Sequence, residues 1–335
     1  MAEKAYSIEN QKNQEQQKET SFDSGSVEYS VITSSDSGFN PVLIVPGFTI
    51  GRSVQRDFAT ELSRTGHRKV VFTEQPYLRK LQSRKPVIDR HAEAILAIIE
   101  QEGWAERPVD FIAHSMGAII FTRAAELAHE RGYNSFDSEQ GSNVVFVSPA
   151  GSNEKESLLF LTRRFGRFTL GERLVASELD PTGEWMRAGA RNFIKKPGKT
   201  LREINTLRHP ERMYRRLGEL GIHPLALGYN NDSLMPFSAA ETTFMNEELS
   251  LRGYAVPVDS SPVPKGATRG ISFSSFRKLT GLSKKAAKKA WAHSLLNAGH
   301  NDLLFHPKRT ANAALQILDR KIVGPDINLP LGKRG

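Results

Sequence analysis

Short apolar runs alternate with amphipathic helical patterns along most of the chain, and this alternation restricts the fold more than any other feature. Val109–Ala113 has the pattern of a buried strand and is followed by a helical pattern from Ala118 to Ala128. A strand, a helix and a second strand in succession form a right-handed crossover. We therefore predict an α/β fold with a mostly parallel sheet flanked by helices. The other predicted strands are Pro41–Val45, Lys69–Thr73, Asn143–Val147, His223–Leu227 and Tyr254–Val258.

The N-terminal part of the chain differs from the rest in composition. Residues 1–37 begin with a long polar run, which favours a disordered tail, although Ser26–Ile32 alternates as a strand does. The first part of the core is predicted to follow over residues 38–151.

Beyond the first part of the core the alternation stops. Residues 152–221 show only helical spacing of apolar side chains, which predicts an inserted helical cap. Strand patterns return in residues 222–335, which are predicted to complete the core and to contain a basic insertion at about 261–291.

Composition excludes several classes of chemistry. The chain has no cysteine, so it has neither a disulfide framework nor a thiolate nucleophile nor a cysteine-ligated metal. Its nine histidines show no paired spacing suited to a metal ion, and we expect neither metal nor cofactor. No run approaches the roughly 20 apolar residues that span a bilayer, and the polar N-terminus lacks the apolar stretch of a secretory leader. We expect a cytoplasmic protein.

The sequence Ala113-His114-Ser115-Met116-Gly117 lies between a predicted strand and a predicted helix. A tight turn in this position needs small residues around the serine, and it lifts the serine hydroxyl to the carboxyl end of the sheet. This is the context of a nucleophilic serine. His114, inside the turn, either contacts substrate or packs.

Because of these residues the chain resembles the α/β-hydrolase superfamily, and in particular its esterase-like and lipase-like members with a helical cap. The resemblance extends from about Val27 to Leu318. Ala113 replaces the commonest first glycine of the turn and still satisfies its steric demand. The resemblance implies Ser115 as nucleophile. It also implies an oxyanion hole formed by the backbone N–H groups of Phe48 and Met116.

The same resemblance implies the other two triad residues, because the family's chain order is nucleophile, acid, histidine. Asp232 is the only acid in the Gly/Asn loop after the strand at His223–Leu227, and it corresponds to the acid. His300 corresponds to the general base. Asp302 adjoins His300 and is a rival for the acid, ranked lower because it lies on the same loop as the base.

The implied activity is hydrolysis of a small-molecule or lipid carboxylic ester through an acyl-enzyme intermediate, with the cap as a lid over Ser115. Thioester, lactone or amide cleavage and acyl transfer are compatible with the same triad. A second hypothesis is a non-catalytic binding module, since a fold does not determine a function. The complete set of triad residues argues against that hypothesis.

The formal net charge of +9 is concentrated in the predicted cap and in the basic insertion. The segment Lys265–Trp291 contains eight Lys and Arg side chains and no acid. Such a run is usually a solvated surface, but as an amphipathic helix it could also contact an anionic membrane. Nucleic-acid binding is disfavoured because no recognition motif accompanies the charge.

Overall fold

The computed structural model describes residues 14–23, 25–34, 38–47, 50–74, 85–150, 211–229, 255–258 and 307–319, together with the single residues Ser274, Arg277, Lys278, Ser283, Lys284, Ala287 and Leu303. Eight strands and five helices fall within these residues. The strands are β1 (Gln14–Phe22), β2 (Gly25–Thr33), β3 (Val42–Val45), β4 (Val70–Thr73), β5 (Asp110–His114), β6 (Val144–Val147), β7 (Leu225–Tyr229) and β8 (Ala255–Val258). The helices are α1 (Arg52–Gly66), α2 (Val87–Gln101), α3 (Gly117–Glu130), α4 (Glu211–Glu219) and α5 (Pro307–Leu318).

The eight strands form one sheet in the order β1-β2-β4-β3-β5-β6-β7-β8. Strands β4, β3, β5, β6, β7 and β8 pair in parallel, whereas β1 and β2 are antiparallel to their neighbours. The predicted α/β class and the mostly parallel sheet are confirmed. In such a sheet the carboxyl ends of the parallel strands meet at one edge, where ligands bind in open α/β folds.

Two helical layers cover the two faces of the sheet, because side chains alternate along each strand. On β3, Leu43 and Val45 pack with the apolar faces of α2, α3 and α4. Val42 and Ile44 point the other way and pack with α1 and α5. The four residues of β3 are all buried, as expected for a central parallel strand covered on both faces.

The predicted N-terminal tail is wrong for residues 14–33, which form the β1–β2 hairpin. Gln14 pairs with Thr33 and Phe22 with Gly25, so every residue of β1 has a partner in β2. β1 is an edge strand whose side chains are exposed or half-buried, and its polar composition therefore resembles that of a disordered segment. The strand at Ser26–Ile32 is confirmed as part of β2.

An ion cluster attaches the polar β1 to the core. The carboxylate of Glu102, at the end of α2, accepts hydrogen bonds from Lys18 (2.8 Å), Lys69 (2.6 Å) and the Tyr29 hydroxyl (2.8 Å). Burial raises the pKa of Glu102, but the three donors outweigh burial and leave the pKa below its usual value. Lys18 thus stabilises β1 through Glu102, a distant residue that the sequence of β1 does not predict.

The last helix of the predicted cap packs on the core. Helix α4 lies within residues 152–221, yet it packs against α3, and its Tyr214 and Leu217 are buried in the core. The Tyr214 hydroxyl donates a hydrogen bond to the Ala150 carbonyl at 2.6 Å. A parallel connection between two strands runs through a crossover that packs on the sheet, and α4 packs in this way. Residues 152–210 lie outside the described residues.

A buried polar cluster joins the amino ends of the central strands to the last helix. The Arg68 guanidinium lies 2.5 Å from the Asp110 carboxylate and 2.8 Å from that of Asp319, just after α5. Asp110 also accepts hydrogen bonds from the side chains of Asn40 and Asn143. Burial raises the pKa of Asp110, and these donors and Arg68 oppose that effect. The cluster fixes the amino end of β5.

Within the described part of the chain, no helix combines the length and the apolar character needed to cross a bilayer.

Candidate active site

Ser115 occupies a strained turn between β5 and α3. β5 ends at His114 and α3 begins at Gly117, so only Ser115 and Met116 connect them. The backbone of Ser115 has a φ of 54°, in the left-handed region that non-glycine residues rarely adopt. Such strain persists only where the surrounding structure determines it, and it is concentrated at functional sites. The structure therefore confirms the predicted strand–serine–helix turn.

Hydrogen bonds on both sides hold the Ser115 backbone in this conformation. Its N–H donates to the Val147 carbonyl at 3.0 Å. Its carbonyl accepts from the N–H groups of Ala118 (3.1 Å) and Ala150 (3.0 Å). The turn is thus attached to the end of β6 as well as to the first turn of α3. These contacts offset part of the cost of the left-handed φ, of order 1–2 kcal/mol.

The predicted steric demand of the turn is visible at Gly117. A Cβ atom added there would lie 2.3 Å from the backbone oxygen of Val45 and 3.0 Å from that of Pro46. Both contacts are to backbone atoms, which cannot rotate away as a side chain can. Glycine therefore lets the start of α3 approach the loop after β3, and it sets the distance between that loop and Ser115.

Gly47, in the loop after β3, also allows a close approach to the serine turn. A Cβ atom there would lie 2.6 Å from Nδ1 of His114 and 3.1 Å from Cβ of Ser115. The loop after β3 therefore lies directly against the serine turn, where the resemblance placed the oxyanion loop. His114 is 1% exposed, which favours the packing alternative for this residue. Ala113 is buried in the core.

The backbone of Met116 is placed at the amino end of α3. Its carbonyl accepts hydrogen bonds from the N–H groups of Ile119 and Ile120, both at 3.1 Å. The Met116 N–H therefore lies before the first N–H groups that donate within the helix. A helix amino terminus carries a partial positive charge and stabilises an anion nearby. The backbone N–H of Met116 is thus suited to donate a hydrogen bond to an oxyanion. Its predicted partner, Phe48, lies outside the described residues.

The remaining predicted triad members, Asp232 and His300, also lie outside the described residues, as does the rival Asp302. β7 ends at Tyr229, three residues before Asp232, at the same carboxyl edge of the sheet as Ser115. The strand that precedes Asp232 therefore ends at the edge of the sheet that carries Ser115.

No group of three His, Asp or Glu side chains suited to a metal ion occurs among the described residues. The two carboxyl groups with shifted pKa values described above, Glu102 and Asp110, belong to clusters that hold strands together.

Sequence reasoning missed Ser148, the residue after β6. Its φ is 45°, and it is one of three described non-glycine residues with a positive φ, the others being His67 and Ser115. Its side chain is buried. A Ser-Pro pair after a strand indicates an ordinary turn, so nothing in the local sequence marks Ser148 as unusual.

No model of a protein family matches the sequence, and no curated protein matches it. Similarity is found among solved structures. A bacterial membrane phospholipase A described as a virulence factor superposes with a TM-score of 0.57 at 15% identity, over 95% of this chain and 90% of that one. A serine hydrolase involved in carbazole degradation superposes with a TM-score of 0.55 at 17% sequence identity. The match covers 92% of this chain and 99% of that one. A Mycobacterium tuberculosis protein superposes with a TM-score of 0.52 at 11% sequence identity, over 92% of this chain and 100% of that one. At these identities the likeness is one of fold.

Proposed function

We propose that this chain, which has the α/β-hydrolase fold, is a serine hydrolase that cleaves a carboxylic ester through an acyl-enzyme intermediate. The observation that carries the proposal is the strained Ser115, held at the carboxyl edge of the sheet between β5 and the amino end of α3. A serine in an ordinary surface turn needs neither the left-handed backbone nor the close approach at Gly117. His300 is proposed as the base and Asp232 as the acid.

In the proposed reaction the Ser115 hydroxyl oxygen attacks the ester carbonyl carbon while His300 takes the hydroxyl proton. The carbonyl oxygen becomes an oxyanion and accepts hydrogen bonds from the Met116 and Phe48 N–H groups. The C–O bond to the alcohol breaks as His300 returns the proton to the leaving oxygen. Water then repeats the sequence, with His300 as base, and releases the carboxylic acid. Asp232 orients His300 and stabilises its charged form.

Two features support an ester among the acyl substrates. The neighbours in fold include a phospholipase A, which supports a lipid ester as one candidate. A serine nucleophile with a histidine base cleaves an ester more readily than an amide, because an alcohol is a better leaving group than an amine. Thioester, lactone and amide cleavage remain alternatives with the same residues, and a binding module without turnover is the alternative from another class.

Labelling with a fluorophosphonate tests the proposal without a choice of substrate. The probe reacts with an activated serine, so we expect the native protein to be labelled and the Ser115→Ala and His300→Ala variants to lose the label. Ser63→Ala is a matched control, because Ser63 is also a buried serine but lies in α1. Folded native protein that does not react, or a Ser115→Ala variant that still reacts, would contradict the proposal. In-gel fluorescence measures the result.

We also propose that the basic insertion contacts an anionic membrane surface. Its described residues include Arg277, Lys278 and Lys284, all exposed, whereas Ala287 is buried. The Ala287 N–H donates to the Ser283 carbonyl at 2.8 Å, as in a helix. The cationic side chains thus face outward while the small apolar one faces inward. This arrangement favours electrostatic attachment over insertion of an apolar face.

Sedimentation with lipid vesicles tests the membrane contact. We expect the protein to sediment with phosphatidylserine-containing vesicles at low salt and to remain in the supernatant with pure phosphatidylcholine. Changing Arg277, Lys278 and Lys284 together to glutamate should abolish sedimentation, because the attraction scales with surface charge. A native protein that stays in the supernatant with anionic vesicles would disprove the contact.

A further inference from the structure

The side chain of Gln55 lies at the end of the ladder between β3 and β4. Gln55 belongs to the first turn of α1 and is 1% exposed. Its Nε2 amide donates to the Thr73 carbonyl at 2.6 Å and to the Gly51 carbonyl at 3.2 Å. Thr73 is the last residue of β4, and Gly51 immediately precedes α1, at the end of the loop after β3. One buried amide group thus joins a strand of the sheet to that loop.

The sequence explains why a side chain is needed at this point of the ladder. β3 and β4 are parallel, and the Val42 N–H donates to the Lys69 carbonyl at 2.8 Å. The donors of β3 recur at every second residue, so the register assigns the N–H of position 46 to the Thr73 carbonyl. Position 46 is a proline, Pro46, which has no N–H. Gln55 therefore supplies the donor that Pro46 cannot supply.

The loop after β3 is held at both of its ends. At its start, a Cβ atom on Gly47 would lie 2.6 Å from Nδ1 of His114, so the loop packs directly against the serine turn. The Ile50 N–H donates to the Gly47 carbonyl at 3.3 Å and closes the loop into a turn. Gln55 binds the carbonyl of the next residue, Gly51. The serine turn and the Gln55 amide thus hold opposite ends of one short segment.

The position of this loop affects the proposed reaction. The Phe48 N–H, proposed as an oxyanion donor, belongs to the same peptide unit as the Gly47 carbonyl. A peptide unit is planar, so a contact that fixes the carbonyl also fixes the direction of the N–H. An oxyanion donor contributes only when it is aimed at the place where negative charge develops. The hydrogen bond from Ile50 to Gly47 therefore connects the end of the loop that Gln55 holds to the proposed oxyanion hole.

We propose that Gln55 is a positioning residue of the active site, whose amide replaces the missing N–H of Pro46 and holds the loop after β3 in the position that the oxyanion hole requires. This inference rests on the proposed function. Gln55 does not touch the reacting atoms, and it acts through the loop. Its partner Thr73 is 2% exposed, so the Thr73 carbonyl has little access to water when the amide is removed.

The first test compares Gln55→Met with a matched control, Ser142→Ala. Methionine has nearly the length of glutamine but no donor. The Ser142 hydroxyl also bonds two backbone groups in the interior, but at the amino end of the sheet: it accepts from the Val109 N–H and donates to the Ser135 carbonyl. We expect both variants to lower the midpoint of thermal unfolding by about 2 °C or more, because each leaves a buried backbone group without its partner.

Only Gln55→Met is expected to impair the reaction. Oxyanion stabilisation acts in the transition state, so we expect kcat for p-nitrophenyl butyrate to fall about tenfold or more while KM changes by less than about twofold. Ser142→Ala should retain the native kcat. The rate of fluorophosphonate labelling provides a second readout, because attack of Ser115 on the probe also develops negative charge on an oxygen. A merely structural residue would lower stability without this loss of kcat.

The variant Pro46→Ala tests whether Gln55 replaces the missing N–H. Alanine restores a backbone donor opposite Thr73, so Gln55→Met should lower both the unfolding midpoint and kcat less in the Pro46→Ala background than in the native one. The same background serves if Gln55→Met alone does not fold, because the double variant retains a donor for the Thr73 carbonyl. A double variant that also fails to fold would contradict the replacement.

Two further results would overturn the role of Gln55 alone: an active native protein whose Gln55→Met variant retains full kcat, or a Gln55→Met loss of equal size in both backgrounds. A native protein that neither reacts with the probe nor hydrolyses any ester would overturn the proposed function and this role together. The activity of the native chain thus distinguishes the two failures.

Discussion

Asp232→Asn is expected to lower kcat for ester hydrolysis by about 10⁴-fold while the protein stays folded. Asparagine has nearly the same shape as aspartate but carries no charge, and it can hold the histidine in the wrong tautomer. The imidazolium that forms when Ser115 attacks then lacks its stabilising partner. Steady-state hydrolysis of p-nitrophenyl butyrate measures kcat, and circular dichroism checks the fold.

Asp302→Asn is the matched control for this prediction, because it makes the same chemical change on the loop of the predicted base. We expect it to retain kcat within about tenfold of the native value. The reverse pattern, with a large loss in Asp302→Asn and a small one in Asp232→Asn, would reassign the acid to Asp302. Equal small losses would show that neither carboxylate orients the base.

Arg68→Ala is expected to lower the free energy of unfolding by about 3–5 kcal/mol. The side chains of Arg68 and Asp110 are 3% and 1% exposed, so alanine leaves the Asp110 carboxylate buried without its cation. Asp319 loses the same partner, which loosens the contact between the end of α5 and the sheet. Urea denaturation followed by tryptophan fluorescence measures the loss.

Arg64→Ala is the control, because Arg64 lies four residues before Arg68, within α1, and its ion pair with Glu61 is much more exposed than that of Arg68 with Asp110. The expected loss there is about 0–1 kcal/mol, as for other surface pairs. A loss in Arg68→Ala no larger than in Arg64→Ala would show that the buried cluster contributes little. The double variant Arg68→Met/Asp110→Asn should recover part of the stability, since it removes the buried Asp110 carboxylate together with its cation.

The effect of Arg68→Ala should also depend on pH. Burial raises the pKa of Asp110, and removing the cation removes one of the groups that oppose this shift. A carboxyl whose pKa is higher in the folded state than in the unfolded state destabilises the protein when ionised. The penalty is full above the folded pKa and disappears below the unfolded pKa. We therefore expect the difference between native and variant stability to shrink as pH falls.

Strand β5 connects these structural groups to the proposed chemistry. Asp110 stands at its first position, in the cluster with Arg68, and Ser115 follows its last position, His114. The amino end of the strand is fixed by charge and the carboxyl end by the hydrogen bonds around Ser115. Strain at Ser115 can persist because both ends of β5 are held.

The sequence alone determined the features that depend on local order of residues. The alternation of strand and helix patterns predicted the parallel strands β3 to β8 and the helix α3, because hydrophobic periodicity follows directly from the geometry of each element. The same local order placed Ser115 between a strand and a helix. The small residues Ala113 and Gly117 around it followed from the steric limits of that turn.

Only the tertiary structure decided the features that depend on distant partners. β1 is polar and becomes a strand because β2 pairs with it and Lys18 reaches Glu102, 84 residues away. Arg68 meets Asp319 across 251 residues. Helix α4 belongs to the core because of what it packs against, which its own periodicity does not specify. Ser148 stands out only through its backbone angle and its burial, and both are set by neighbours that folding brings together.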